Sequence, residues 1–126
     1  MEIQHDKKEI ELATKEIELA AKEILKDMGM KMFLSGFNCW IKAVAILIEE
    51  DFEKKGKVQI MQIYEMVADE CYSTSQRVER AMRHALKTIE VDPNKYFNVE
   101  YKVHNSAFIF LLKEATLEKL KNKNIL

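Results

Sequence analysis

The chain has 126 residues, of which 48% are hydrophobic and 33% charged, with three Gly, one Pro and a net charge of −1. That is one globular domain, able to bury roughly two thirds of its unfolded surface without staples, and so few breakers predict a mostly helical chain. An apolar run of about 18 residues and a signal peptide are both missing, which excludes a membrane span and makes a cytoplasmic protein the expectation. Cys39 and Cys71 have no His or Cys at metal-ligand spacing, so reduced thiols are expected, with no metal site and no cofactor.

The first element is a helix with a seven-residue echo: Lys8–Thr14, Lys15–Ala21 and Lys22–Met28 each open Lys-Glu-Ile. Ile10, Ile17 and Ile24 line one face with Ala13, Ala20 and Ala21, while Leu12 and Leu19 project from nearly the opposite side. Two readings stay open. The helix packs on its own domain through one amphipathic face, or residues 1–27 form an arm that pairs two copies through Ile10, Ile17 and Ile24. On either reading the chain divides into an amphipathic N-terminal helical arm, 1–27, and a domain, 28–126.

Gly29 and Gly36 bracket a break, followed by a helix from about Phe37 to Lys55. Trp40, Ile41, Val44, Ala45, Leu47, Ile48 and Phe52 cover most of its circumference, which places it at the centre of a bundle. Lys54, Lys55 and Gly56 supply a cationic last turn and a left-handed cap. A further helix is expected from about Gln59 to Glu70, with Ile60, Ile63, Tyr64, Val67 and Ala68 inward.

After the interruption at Cys71–Thr74 comes the most patterned stretch, Ser73–Glu90. Ser73, three residues before Gln76, fits a capping box, with Thr74 and Ser75 as competing caps. Val78, Met82, Ala85 and Ile89 fall at i, i+4, i+7 and i+11, one apolar face. Gln76, Arg80, Arg83 and Lys87 repeat that spacing two residues earlier, on the opposite side at roughly 100° per residue. Glu79 and His84 flank this polar stripe and Arg77 sits at its margin. Two helices joined by a short turn, the second amphipathic and basic, make a helix-turn-helix, whose second helix enters the DNA major groove. Charge agrees in direction: residues 1–28 carry −3 and 29–71 carry −2, whereas 72–112 and 113–126 carry +2 each.

Asp92, Pro93 and Asn94 then end the recognition helix by turn chemistry. Phe97, Val99, Tyr101 and Val103 alternate with polar residues, and without a second strand they predict an extended segment on the helices. His104–Ser106 cap a last helix from Ala107 to about Lys121. The sum is an all-α, compact bundle of about six helices containing a helix-turn-helix.

Tyr64–Ala85, and above all its core Arg77–Ala85, closely resembles the helix-turn-helix of the C-terminal effector domains of the stage-zero sporulation transcription factor A family, the master sporulation response regulators. The similarity runs back through Met28–Phe37, where Gly29 and Gly36 match two family glycines, and forward to Asn105–Ile109, covering roughly residues 24–117. The resemblance implies an all-helical domain that binds a short DNA box in the major groove. It implies base contacts for Glu79, Arg80 and Arg83, and phosphate neighbours for Arg77 and His84. No receiver domain accompanies this domain in the sequence, so control by aspartyl phosphorylation within the chain is not expected. The segment between His84 and Asn105 is shorter than in the family, in the region of the polymerase-contacting surface, and Lys31 and Val103 replace family prolines.

The residues support the same chemistry. Arg80 and Arg83 can each offer a planar fork to guanine, and Glu79 can accept from cytosine or orient Arg83; Gln76 shares their stripe. Arg77, His84, Lys87, Lys102 and the amides near Ser75 suit phosphates, which set register rather than sequence. Nothing in the sequence pairs a nucleophile with a base or forms a phosphate loop, so no enzyme is expected. Double-stranded DNA is the expected partner, with a homodimer through the arm and a contact to RNA polymerase as further expectations. A second reading is a non-catalytic interaction module that keeps the helix-turn-helix fold and docks another regulator or the polymerase.

Overall fold

The computed structural model describes residues 7–54 and 59–124, without the side chains of 7–12 and 51–54. Six helices follow one another: α1 (Lys7–Asp27), α2 (Ser35–Lys54), α3 (Ile60–Cys71), α4 (Ser75–Leu86), α5 (Pro93–Phe97) and α6 (Asn105–Asn122). No strand occurs among the described residues, as the composition predicts. Lys55 and Gly56, the expected end of α2, lie outside them.

α2 is the axis, packing against α1, α3, α4 and α6. Its sequence requires this, because Trp40, Ala43, Val44, Leu47 and Ile48 point in several directions and all are fully buried. The Trp40 ring meets Phe108 of α6 edge-on, with centroids 4.8 Å apart, and Phe97 at the end of α5 meets Phe108 at 5.8 Å.

α1 lies against α6 and α2. Ile17 and Ile24 are 5% and 4% exposed, with Ala20, Ala21 and Leu25 buried beside them. The first reading of the heptad echo therefore holds for these residues. Ile17 and Ile24 form part of the chain's own core, not a seam free for a second copy, because the α2–α6 surface already covers them. The side chain of Ile10 lies outside the described residues. At the far end, the Glu23 carboxylate reaches Lys119 Nζ at 2.9 Å and Lys123 Nζ at 3.1 Å. The hydrogen bond from Lys119, and after it that from Lys123, holds the Glu23 carboxyl below its usual range. This clasp is in place above the ordinary carboxylate range and is lost as pH falls through the depressed value.

Three of the connections between these helices depart from what spacing alone predicts or fix where helices end. α1 closes with a left-handed Gly29 (φ 82°), whose neighbour Met30 donates its amide to Leu25 O and which itself donates to Lys26 O. α4 stops at Leu86, four residues before the expected end. Thr88 Oγ1 donates back to Ala85 O at 2.6 Å, and the amides of Glu90 and Val91 go to Met28 O instead of helix carbonyls. Asp92 consequently ends nothing: it caps α5, accepting from the Asn94 amide at 3.0 Å ahead of Pro93. The alternation from Phe97 to Val103 belongs to α5 at its first residue; Asn98 then closes α5 in the left-handed region (φ 56°), and residues 99–103 are neither helix nor strand. That stretch is held by Asn94 Nδ2, which donates to Val99 O and Tyr101 O. α6 starts at Asn105, two residues before expectation, after His104 in extended conformation.

α2 crosses α4 at close range. A Cβ added to Gly36 would lie 2.6 Å from the Ala81 carbonyl carbon and 2.8 Å from Ala85 Cβ, so only glycine admits this approach. One turn further on, Trp40 Nε1 donates to Met82 O at 2.9 Å, in the core. Gly→Ala in an open helix stabilises by about 1 kcal/mol. Gly36→Ala is expected to reverse that sign and destabilise by about 1–3 kcal/mol through overpacking, read as a lower urea midpoint. The two thiols give a second test. Burial, with a smaller effect from nearby Cys71, pushes the Cys39 thiol up to about 11, whereas Cys71 is only half-buried. Iodoacetamide at pH 8 is expected to alkylate Cys71 in the folded protein and Cys39 only after unfolding, as mass spectrometry of peptides would show.

Candidate nucleic-acid interface

The candidate interface is built on α4, and its position follows from how both ends of that helix are made. Thr74, extended at φ −118°, is the N-cap: its Oγ1 accepts from the Arg77 amide at 3.2 Å. Ser73, the first-named cap candidate, instead donates its amide to Ala68 O and closes α3. Between them Tyr72 occupies the left-handed region (φ 53°) and is 99% exposed. A non-glycine residue there costs about 1–2 kcal/mol of backbone strain, which the two helices must offset by packing on each other.

Val78, Met82 and Ala85 are buried, as their spacing predicts, and Ile89, beyond the helix end, is half-buried. The opposite stripe of Gln76, Arg80, Arg83 and Lys87 is exposed along its whole length. Arg77 and His84 are also exposed, on one flank of the stripe, and Ser75 is half-buried at the first turn, its Oγ 3.4 Å from Gln76 Oε1. On the other flank, Glu79 Oε1 sits 3.6 Å from Arg83 Nε, an ion pair along one helical turn. The structure thus brings Gln76, Glu79, Arg80, Arg83 and Lys87 onto one continuous surface. Lys102 is separate in sequence and exposed. Its neighbours Val103 and His104 share with Glu79, Arg83 and Lys87 a groove of about 680 Å³.

Two contacts that fix this surface are not visible in any motif. Asn105, 9% exposed, directs its Nδ2 to Tyr64 Oη at 3.2 Å and toward Glu79 O at 3.4 Å, tying α6 to both helices of the helix-turn-helix. Burial pushes the Tyr64 phenol up, against the smaller effect of the Asn105 bond, so it stays an O–H at neutral pH. The other is Trp40 to Met82 O, which sets the rotation of α4 about its own axis. An indole donor in an apolar helix is a signal that it needs a carbonyl, but nothing local says which. Among the described residues no group of His, Cys, Asp and Glu side chains is arranged to hold a metal ion, and no helix is long and apolar enough to cross a membrane.

No individual curated protein matches the chain significantly. Residues 21–116 match the family described as Sporulation initiation factor Spo0A C terminal, a span that opens inside α1, takes in the whole helix-turn-helix and closes within α6. With most of its length matched and six helices arranged around a helix-turn-helix, the chain belongs to the Spo0A C-terminal family of DNA-binding, sporulation-related effector domains.

Proposed function

We propose that the protein is a sequence-specific transcriptional regulator that reads the DNA major groove with α4. The observation that carries this reading is the open stripe of Gln76, Arg80, Arg83 and Lys87 on a helix whose reverse face is locked in the core. A helix held at the Gly36 crossing and at Met82 O cannot roll its guanidinium groups inward, so the face that carries them is turned toward solvent before any partner arrives. Arg80 and Arg83 are the base-edge donors, each able to grip guanine O6 and N7, with Gln76 and Glu79 beside them. Arg77, His84, Lys87, Lys102 and the Ser75 end of the helix hold phosphates and set the register.

A duplex selected from a random pool supplies the ligand for the test. Arg80→Ala and Arg83→Ala are each expected to weaken binding by about 1–3 kcal/mol, roughly tenfold to a hundredfold, for the loss of one bidentate contact. Their thermal midpoints should stay at the parent value, because both side chains are exposed. With about four phosphates neutralised, log affinity should fall with log salt at a slope near −3.6. Unchanged affinity in both variants would defeat major-groove reading and leave the docking-module alternative in its place.

A further inference from the structure

The turn joining α1 to α2, residues 28–34, carries the most exposed large apolar side chain among the described residues outside the helix-turn-helix turn. Phe33 is 85% exposed and its neighbour Met32 47%. The backbone around them is nevertheless tightly held. Gly29 and Met30 close the end of α1, the Lys31 amide meets Thr88 Oγ1 at 3.3 Å, and Lys31 Nζ lies 3.6 Å from Glu90. The Phe37 amide donates to Leu34 O, and Gly36 sits against Ala81. An apolar tip on a fixed turn has already lost the conformational entropy that a contact would otherwise remove.

Where the turn sits decides what it can meet. Arg77, Ala81 and His84 stand at i, i+4 and i+7 along α4, one row about 100° around the helix from the arginine stripe, and Thr88 lies in the turn just past its end. The turn is anchored on Thr88 through the Lys31 amide, and Gly36, at the start of α2, lies against Ala81. Arg77 and His84, either side of Ala81 in that row, are the exposed residues assigned above to phosphates. A DNA strand held by those two side chains would run along this flank and past the turn, offering the apolar edges of its deoxyribose rings and thymine methyl groups.

We infer that Phe33 is a DNA-contacting residue, packing its ring on the sugars and thymine methyls of the strand that Arg77 and His84 hold. This rests on the major-groove reading of α4 and adds to it a contact outside the helix-turn-helix. Because the contact is apolar, it releases no counterions. Phe33 therefore contributes affinity that is independent of salt, unlike the basic side chains assigned to phosphates.

Phe33→Ala in the full chain, titrated with the selected duplex, is expected to raise Kd about tenfold, the order given by removing an aromatic contact. Its thermal midpoint should not fall and its salt slope should match the parent's, whereas Arg77→Ala should flatten the slope by about 0.9. Arg83→Ala runs beside it as the reference. If Arg83→Ala weakens binding and Phe33→Ala does not, the Phe33 contact is refuted while the α4 reading stands. If neither variant changes binding, both fall. A Phe33→Ala loss accompanied by a smaller sedimentation mass would assign Phe33 to self-association and overturn the inference as well.

Discussion

The approach of α2 to α4 at Gly36 is the constraint on which the interface depends. Two helices carrying ordinary side chains sit about 8–10 Å apart. Here the missing Cβ lets backbone approach backbone, and the gain is orientation more than energy. Once Gly36 is against Ala81, Trp40 one turn along comes within 2.9 Å of Met82 O. That buried hydrogen bond contributes on the order of 1 kcal/mol of net stability. Its larger effect is geometric, because an indole N–H without its carbonyl would lose more than that, so any roll of α4 is opposed from the inside. The Asn105 side chain opposes it from the other side through Glu79 O. Between these two stops the outward direction of Arg80 and Arg83 is fixed by the body of the protein.

What could be read from the sequence follows from which interactions are local. The two faces of α4 were legible because burial and exposure on one helix depend only on spacing, and Val78, Met82 and Ala85 went inward as their i, i+4, i+7 positions require. α2 was legible for the converse reason, since a helix apolar all round has only one place to go. The ends of elements were less so. The apolar period of α4 runs on to Ile89, yet the helix stops at Leu86, because Met28 O, far away in sequence, takes the amides of Glu90 and Val91. By turn chemistry alone Asp92 marks a stop, and in the fold it is a start, a distinction that depends on whether the helix before it has already ended. Ser73 and Thr74 are chemically near-equivalent caps, and the left-handed Tyr72 decides between them by turning the Ser73 amide back to Ala68 O.

The heptad echo in α1 shows the limit most clearly. Ile17 and Ile24 repeat at a spacing that suits a coiled coil and an intramolecular groove equally well. Periodicity states that a face must be covered; it does not state by what. Here α2 and α6 supply the cover, and Glu23 between Lys119 and Lys123 sets α1 against α6. Part of the acidic charge of the N-terminal helix is thereby matched against α6, away from α4. That is how a chain with net charge −1 leaves a basic face open.

The ion pair between Glu79 and Arg83 raises the opposite concern, that the protein's own carboxylate holds the guanidinium back from a groove. Magnitudes decide it. Both side chains are well solvated, 34% and 56% exposed, and an exposed pair one helical turn apart contributes about 0.3–0.5 kcal/mol. A bidentate contact to guanine carries about 1–3 kcal/mol of discrimination. The pair is therefore too weak to sequester Arg83 and strong enough to bias its rotamers toward the Glu79 flank. At 3.6 Å the contact runs through Nε, which leaves the terminal nitrogens of the fork outside that pair. On this account Glu79 narrows the search that Arg83 would otherwise make, whether or not it also accepts from a base.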